Sequence, residues 1–181
     1  MKVTEDYIFF WKGWLSNFWR APFIAEWQDG SNLLEQVGVN PSQPFFCTEQ
    51  YFMFMKACTF KDWEIAKKIL KTTMPQEAKK LGQQVRGYKD DIWSAIRQQV
   101  MYDANWCKYT QNQDLKDKLL NPDWDGKHLV EASPYDRIWA VGLEETDPRI
   151  LDPTQWRGQN LLGKVLDQVR DDLIKKEGRD S

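Results

Sequence analysis

Two ionisable side chains, Glu49 and Lys56, stand seven residues apart in the stretch that follows Cys47. If this stretch is a helix, seven residues span about two turns, so both side chains point the same way with backbones ~10 Å apart. A carboxylate and an amine on one face can act together on a small group lying over the helix. The alternative is structural: Lys56 extends its amine to solvent, and Glu49 complements the positive end of the helix dipole. Spacing alone leaves both interpretations open.

Two polar turns offer further candidates. The stretch 133–137 places Asp136 between two apolar runs, where it either binds a ligand or hydrogen-bonds its own turn backbone. The stretch 156–160 precedes the last apolar helical pattern, and Gly158 there would let a phosphate approach backbone N–H groups. The competing interpretation is a plain N-terminal turn capped by Asn160. Neither pattern decides between its two interpretations.

Composition excludes several classes of protein. The 25 Lys and Arg residues against 27 Asp and Glu residues give a net charge of -2, which excludes a strongly basic nucleic-acid-binding surface over the whole chain. One histidine and three widely spaced cysteines predict reduced thiols, no metal site and no cofactor. The absence of a long apolar run and of a signal-peptide pattern at the start predicts a cytoplasmic protein without a membrane partner.

The elements that position these residues follow from hydrophobic spacing. The pattern predicts one α+β domain over residues 1–181, mostly helical with a small sheet. Residues 28–44 are predicted to form a surface loop and residues 175–181 a frayed tail. Predicted strands cover 7–11, 22–27, 128–132 and 138–143. Predicted helices begin at a Thr48 cap, near 63, near 76 (ending at Gly82), at an Asp90 or Asp91 cap, near 115 and near 162.

Taken together, these segments resemble the NADAR (YbiA-like) family. The stretches that carry the resemblance are LSNF at 15–18, TEQYFM at 48–53 with Lys56, AKKLG at 78–82, Trp93 with Arg97 and Met101, LVEAS at 129–133 with Asp136 and Trp139, and WRGQN at 156–160. They span about residues 7–170 in the family's order. Two departures are Gln83, where the family often has arginine, and the longer 28–44 segment.

The resemblance implies an α-rich fold, an ADP-ribose-type pocket and hydrolysis of an N-glycosidic bond. It implies catalytic roles for Glu49, Lys56 and Asp136. The residues that it implies for ligand binding are Ser16, Asn17, Phe18, Arg20, Trp93, Arg97, Met101, Tyr135, Trp139, Gly158 and Asn160. Among these, Asp136 is expected to hold ribose hydroxyls, the rings of Trp93, Tyr135 or Trp139 to stack on a base, and Arg20, Arg97 and the 158–160 turn to meet the pyrophosphate.

Three functions are compatible with this site. The first is a glycohydrolase that removes ADP-ribose from the exocyclic amine of guanine in nucleotides or nucleic acid, reversing a cognate ADP-ribosyltransferase in a repair role. The second is an N-glycosidase of phosphoribosylamino intermediates of riboflavin biosynthesis. The third is an ADP-ribose-binding module without turnover, which the presence of both Glu49 and Lys56 disfavours. The bond can break through a Schiff base on Lys56 or through an oxocarbenium-like state stabilised by a carboxylate.

Overall fold

The computed structural model describes residues 1–178 and divides them into two compact units. Residues 17–113 form the helical unit, and residues 1–16 with the described residues from 114 onward form the sheet unit. About half of the described residues are helical and the one sheet among them has three strands, which confirms the predicted fold class. The single-domain prediction for residues 1–181 stays a prediction.

The sheet unit is built on strands β1 (Lys2–Val3), β2 (Tyr7–Phe10) and β3 (His128–Glu131), in that order across the sheet. Strands β1 and β2 pair antiparallel, whereas β2 and β3 pair in parallel with Ile8 opposite Leu129. A parallel pair cannot be closed by a tight turn, and here most of the chain lies between its two strands. Strands β2 and β3 confirm the strands predicted at 7–11 and 128–132.

Helix α7 (Leu161–Lys176) packs against β3 and is fixed to it by two polar side chains. The Asp167 carboxylate accepts the Leu129 N–H at 3.0 Å and contacts the His128 ring at 2.9 Å. Arg170 donates to the Lys127 carbonyl at 2.6 Å. The helix continues into the segment expected to fray, and residues 179–181 of that expected tail lie outside the described residues.

The predicted strand at 138–143 does not form. The backbone there runs irregularly because its carbonyl groups serve α7 instead of a neighbouring strand: Leu161 N–H donates to Ile138 O and Leu162 N–H to Trp139 O, both at 3.1 Å. These bonds satisfy first-turn N–H groups that a helix cannot pair internally. The end of this segment still reaches the core of the sheet unit, where Val141 and Leu143 lie buried among Phe9, Val130, Ala132 and Ile150.

The helical unit contains α1 (Leu33–Gln36), α2 (Thr48–Thr59), α3 (Trp63–Lys71), α4 (Pro75–Gly82) and α5 (Asp90–Gln111); α6 (Gln113–Leu119) follows. Helix α2 is the central one, because α3, α4 and α5 all pack against it. Its first seven residues are buried in succession. A helix buried around its circumference has neighbours on several sides, which explains its weak amphipathic pattern.

Several local predictions for the helical unit need correction. Thr48 does not cap α2, because Cys47 occupies the cap position and Thr48 is already helical; likewise Lys89, and neither Asp90 nor Asp91, precedes α5. The 22–27 strand is reduced to one bridge between Phe23 and Phe45, and the 28–44 loop contains α1. The cap predictions fail because a polar residue one position inside a helix looks the same in sequence as one just outside it.

Gly163 in α7 makes a sharp test of the packing between α7 and β3. A Cβ built on Gly163 lies 2.0 Å from the Leu129 carbonyl oxygen, so a methyl group there would push the helix off the strand. Helix propensity alone favours alanine by ~1 kcal/mol. We expect Gly163→Ala instead to lower the free energy of unfolding by ~1–3 kcal/mol, a typical cost of overpacking, as measured by denaturant titration.

Lys164→Ala is the matched control, because Lys164 is the exposed next residue of the same helix. Its unfolding free energy should stay within ~0.5 kcal/mol of the parent, as for most surface changes. A stabilised Gly163→Ala protein would contradict the close contact between helix and strand.

Candidate active site

Helix α2 carries both groups of the predicted catalytic pair, two turns apart. Glu49 lies in its first turn and is 7% exposed, and Lys56 lies in its last turn and is half-buried. Burial lowers the pKa of the Lys56 amine, and the electrostatic attraction of the Glu49 carboxylate partly opposes that effect. The two side chains thus interact across one face of the helix.

Burial has the larger effect on Lys56. It lowers the pKa of the amine below the ordinary value of 10.5, and the attraction of Glu49 only partly opposes it. Loss of water around an ammonium group disfavours its charged form. A larger fraction of the amine is therefore neutral and nucleophilic at a given pH than in a solvent-exposed lysine.

The start of α2 presents buried polar atoms beside Glu49. The Glu49 N–H donates to the Asn17 carbonyl at 3.0 Å, which joins the predicted LSNF segment to the helix. Asn17 is 9% exposed and Thr48 is fully buried. Among the described residues, neither Asn17 Oδ1 nor Thr48 Oγ1 has a hydrogen-bond partner. Buried oxygen atoms of this kind call for water or a ligand hydroxyl to satisfy them.

Two aromatic residues, Tyr88 and Phe60, lie near Lys56 at the last turn of α2. Its Nζ lies 4.7 Å from the centroid of the Tyr88 ring, and the Tyr88 ring contacts Phe60 at 5.3 Å. Arg97 of α5 is partly exposed and lowers the pKa of Tyr88, against the raising effects of burial and of Asp90. Arg97 thus acts on the ring that covers Lys56, and its role in ligand binding stays a prediction.

The other ligand residues predicted in the helical unit pack against neighbouring side chains of the protein. Trp93 is 4% exposed and packs on Phe52 with ring centroids 5.0 Å apart, and Met101 is 1% exposed. Phe18 lies 5.9 Å from the Lys79 amine, and the exposed Arg20 lies 5.9 Å from the Phe46 ring. Their roles in ligand binding stay predictions.

In the sheet unit, Asp136 forms the turn that sequence offered as its structural alternative. Its Oδ1 accepts the N–H groups of Ile138 and Trp139, both at 2.8 Å. Tyr135 beside it is 85% exposed, with its ring 5.9 Å from that of Trp11. Both bonds use the same carboxylate oxygen, and a role in ligand binding for the other oxygen stays a prediction. Stacking of the half-buried Trp139 ring on a base also stays a prediction.

The 158–160 turn is tightly built into the sheet unit. A Cβ on Gly158 would lie 2.1 Å from the Ala140 carbonyl oxygen. Asn160 occupies the predicted N-cap position of α7, but its side chain makes no capping hydrogen bond: its amide accepts the Glu131 N–H and donates to the Leu129 carbonyl, both at 3.0 Å. The backbone N–H groups from 159 to 162 all donate to carbonyls of 137–140. A pyrophosphate at this turn would need other donors, and that role stays a prediction.

Ser16, also predicted for ligand binding, is half-buried, and its N–H donates to the Gly13 carbonyl.

Sequence reasoning missed two residues of the helical unit. Tyr88 lies in the loop before α5 and has no periodic pattern that would identify it. Lys108 is fully buried, and burial lowers its pKa to about 7 while the Cys47 thiol opposes that effect. Lys108 did carry a signal, because it extends the buried four-residue spacing of Val100 and Ala104.

Two kinds of feature are absent from residues 1–178. No three histidine, cysteine or acidic side chains cluster there in a way that could hold a metal ion. None of the helices in that range has both the length and the apolar composition needed to cross a bilayer.

Comparison with known proteins identifies relatives along most of the chain. Protein irg-1 of Caenorhabditis elegans is 46% identical over 135 residues, which are 74% of this chain and 63% of that protein. N-glycosidase R617 of Acanthamoeba polyphaga mimivirus is 33% identical over 169 residues, covering 93% of this chain and 97% of the viral protein. The Arabidopsis thaliana chloroplastic riboflavin biosynthesis protein PYRR is 31% identical over 63% of this chain, which matches only 18% of that longer protein.

The fold has a solved counterpart. The NMR structure of the Escherichia coli protein YbiA superposes with a TM-score of 0.69 at 23% identity, over 97% of this chain and 89% of YbiA. Residues 9–174 match the NADAR domain. The resemblance inferred from the short motifs is confirmed, and the chain belongs to the NADAR family.

Proposed function

We propose that this protein is an N-glycosidase that removes ADP-ribose from the exocyclic amine of guanine, in nucleotides or nucleic acid. The observation that carries the proposal is the pairing on α2 of a half-buried Lys56 amine, whose pKa is lowered, with the Glu49 carboxylate. An amine nucleophile and a proton-transferring carboxylate are the two groups that opening and exchange of a ribosylamine require. The relative named as an N-glycosidase matches along almost the whole chain and supports the reaction type.

The proposed reaction begins with the ring-opened ribosylamine, an imine between the sugar C1′ and the guanine amine. Neutral Lys56 Nζ attacks C1′, and the Glu49 carboxylate passes the two protons of that nitrogen in turn to the guanine nitrogen, which leaves as the free amine. The product is a Schiff base between Lys56 and C1′. The Glu49 carboxylate then takes a proton from water as that water attacks C1′ and passes it to the Lys56 nitrogen. The hydroxyl proton of the adduct moves to the same nitrogen as the C–N bond breaks, which frees the Lys56 amine and the sugar. One water molecule is consumed and no oxidant or metal enters the balance.

A second candidate function uses the same chemistry on another ribosylamine. The match to PYRR favours phosphoribosylamino intermediates of riboflavin biosynthesis as substrates, although it covers a small part of PYRR. Both substrates carry ribose on an exocyclic amine, so the Lys56 and Glu49 roles are common to them.

The three cysteines are free and buried, which fits the proposed cytoplasmic location.

The two catalytic side chains give the first functional test. We expect Lys56→Ala and Glu49→Gln each to reduce kcat by ~10²–10⁴ with the circular dichroism spectrum unchanged, because each removes a reacting group. Lys67→Ala, an exposed lysine on α3, is the matched control and should retain parent activity. A fully active Lys56→Ala protein would remove the amine from the mechanism.

Borohydride trapping separates the Schiff-base route from the oxocarbenium route. Reduction during turnover should fix the sugar on Lys56, and mass spectrometry should find the added mass on the peptide that contains this residue. Lys56→Arg is the control, because a guanidinium stays protonated and forms no Schiff base. An active enzyme that gives no adduct under these conditions would favour the oxocarbenium route, with Glu49 or Asp136 as the essential group.

Substrate preference decides between the two candidate functions. We expect ADP-ribose to bind with a Kd in the micromolar range, about -8 kcal/mol, by calorimetry, and ADP-ribosylated guanosine to be turned over faster than phosphoribosylamino pyrimidines. Faster turnover of the pyrimidines would assign the riboflavin role. Binding of ADP-ribose without turnover of either substrate would make the chain a binding module.

A further inference from the structure

The Tyr88 ring covers the Lys56 amine from a part of the chain that the proposed mechanism does not use. Lys56 Nζ lies 4.7 Å from the ring centroid. The same ring meets Phe60 edge-on at 5.3 Å, and Phe60, four positions after Lys56, is the cap residue that follows α2. Tyr88 thus spans the last turn of the helix, and one of its surfaces stays accessible because it is 41% exposed.

Polar contacts on both sides hold the Tyr88 segment in place. The Tyr88 hydroxyl donates to Asp90, the first residue of α5, at 2.8 Å. Two residues earlier, the Arg86 backbone N–H donates to Asp62 Oδ2 at 2.9 Å, and its guanidinium donates to both carboxylate oxygens. These bonds hold the pKa of Asp62 down to about 2, so they persist throughout the neutral range. These hydrogen bonds restrict the position of the Tyr88 ring, although the residue lies in a loop.

A fixed ring at this distance has two effects on a lysine. It restricts a long side chain that otherwise has up to ~2 kcal/mol of rotamer entropy, and it excludes water from one side of the amine. The ring face attracts an ammonium ion, which opposes the effect of lost water. Charged groups near the pair are Glu49 on α2 and Asp90 and Arg97 on α5. Burial lowers the pKa of the amine more than Glu49 raises it, and the Tyr88 ring is one of the groups that cover the amine.

We propose that Tyr88 is a positioning residue for Lys56, seating its amine for attack on the sugar carbon and shielding it from water. This inference rests on the proposed function of Lys56 as the nucleophile. Tyr88 itself forms no bond to the substrate in this scheme. Tyr88 contributes by orienting the Lys56 amine, which does form that bond, and by favouring the neutral form of the amine.

The test measures the amine directly as well as the enzyme. In substrate-free protein, the pH dependence of Lys56 acetylation by acetic anhydride, followed by mass spectrometry of its peptide, reports the titration of the amine. We expect Tyr88→Ser and Tyr88→Ala to move the midpoint to higher pH, towards that of an exposed lysine, because water regains access. Tyr88→Phe retains the ring but loses the hydroxyl bond to Asp90, so its midpoint should stay closer to the parent value than those of Tyr88→Ser and Tyr88→Ala. Trp63→Leu, which replaces an aromatic of similar exposure on α3, is the control.

Kinetics supply the second readout. We expect kcat of Tyr88→Ser to fall ~10–100-fold, the size of loss that a misplaced reacting group causes, with KM changed less than about twofold and with the ascending limb of the pH profile shifted upward. Tyr88→Phe, which keeps the ring, should lose less of kcat than Tyr88→Ser. An unchanged acetylation midpoint in both Tyr88→Ser and Tyr88→Ala would overturn the inference. Inactivity of the parent protein on ribosylamines would instead overturn the proposed function, and the acetylation result would still judge Tyr88.

Discussion

The register of helix α2 depends on one buried amide. Gln50 is 2% exposed, and its carboxamide accepts the Phe46 N–H at 2.9 Å while donating to the carbonyls of Ile69 and Thr72 at 3.1 and 3.3 Å. These bonds join α2 to the backbone of Phe46, Ile69 and Thr72, and a polar group left unpaired in the interior costs ~1–3 kcal/mol. Rotation or translation of the helix would break all three bonds together. The positions of Glu49 and Lys56 are set by this constraint before any ligand arrives.

The two ends of α2 give their ionisable groups different surroundings. At the first turn Glu49 is buried where helix N–H groups favour a negative charge, next to the oxygen atoms of Asn17 and Thr48. At the last turn Lys56 is only half-buried, and the Tyr88 ring lies over its amine. An ammonium held in a close ion pair would be a poor nucleophile. At Lys56 burial opposes the charged form more strongly than Glu49 favours it, so a larger fraction of the amine is neutral than in an exposed lysine.

The sheet unit shows how a polar loop is fixed without a strand partner. Asp136 closes a turn through its carboxylate, and the following carbonyl groups are used by the first N–H groups of α7. The Asn160 amide then ties the same region to β3. The loop is as well hydrogen-bonded as a hairpin would be, and these contacts leave the exposed Tyr135 ring on a rigid support.

The sequence by itself determined the helical spacing, the pairing of Glu49 with Lys56 and the family, because these depend on local periodicity and on short motifs in a fixed order. It also predicted β2, β3 and α7, whose apolar patterns are regular. Tertiary structure decided what periodicity cannot encode. The 138–143 run has the composition of a strand, but a helix end takes its carbonyl groups. Tyr88 reaches Lys56 only because the loop before α5 folds back over α2, and a contact between residues 32 positions apart leaves no regular trace in sequence.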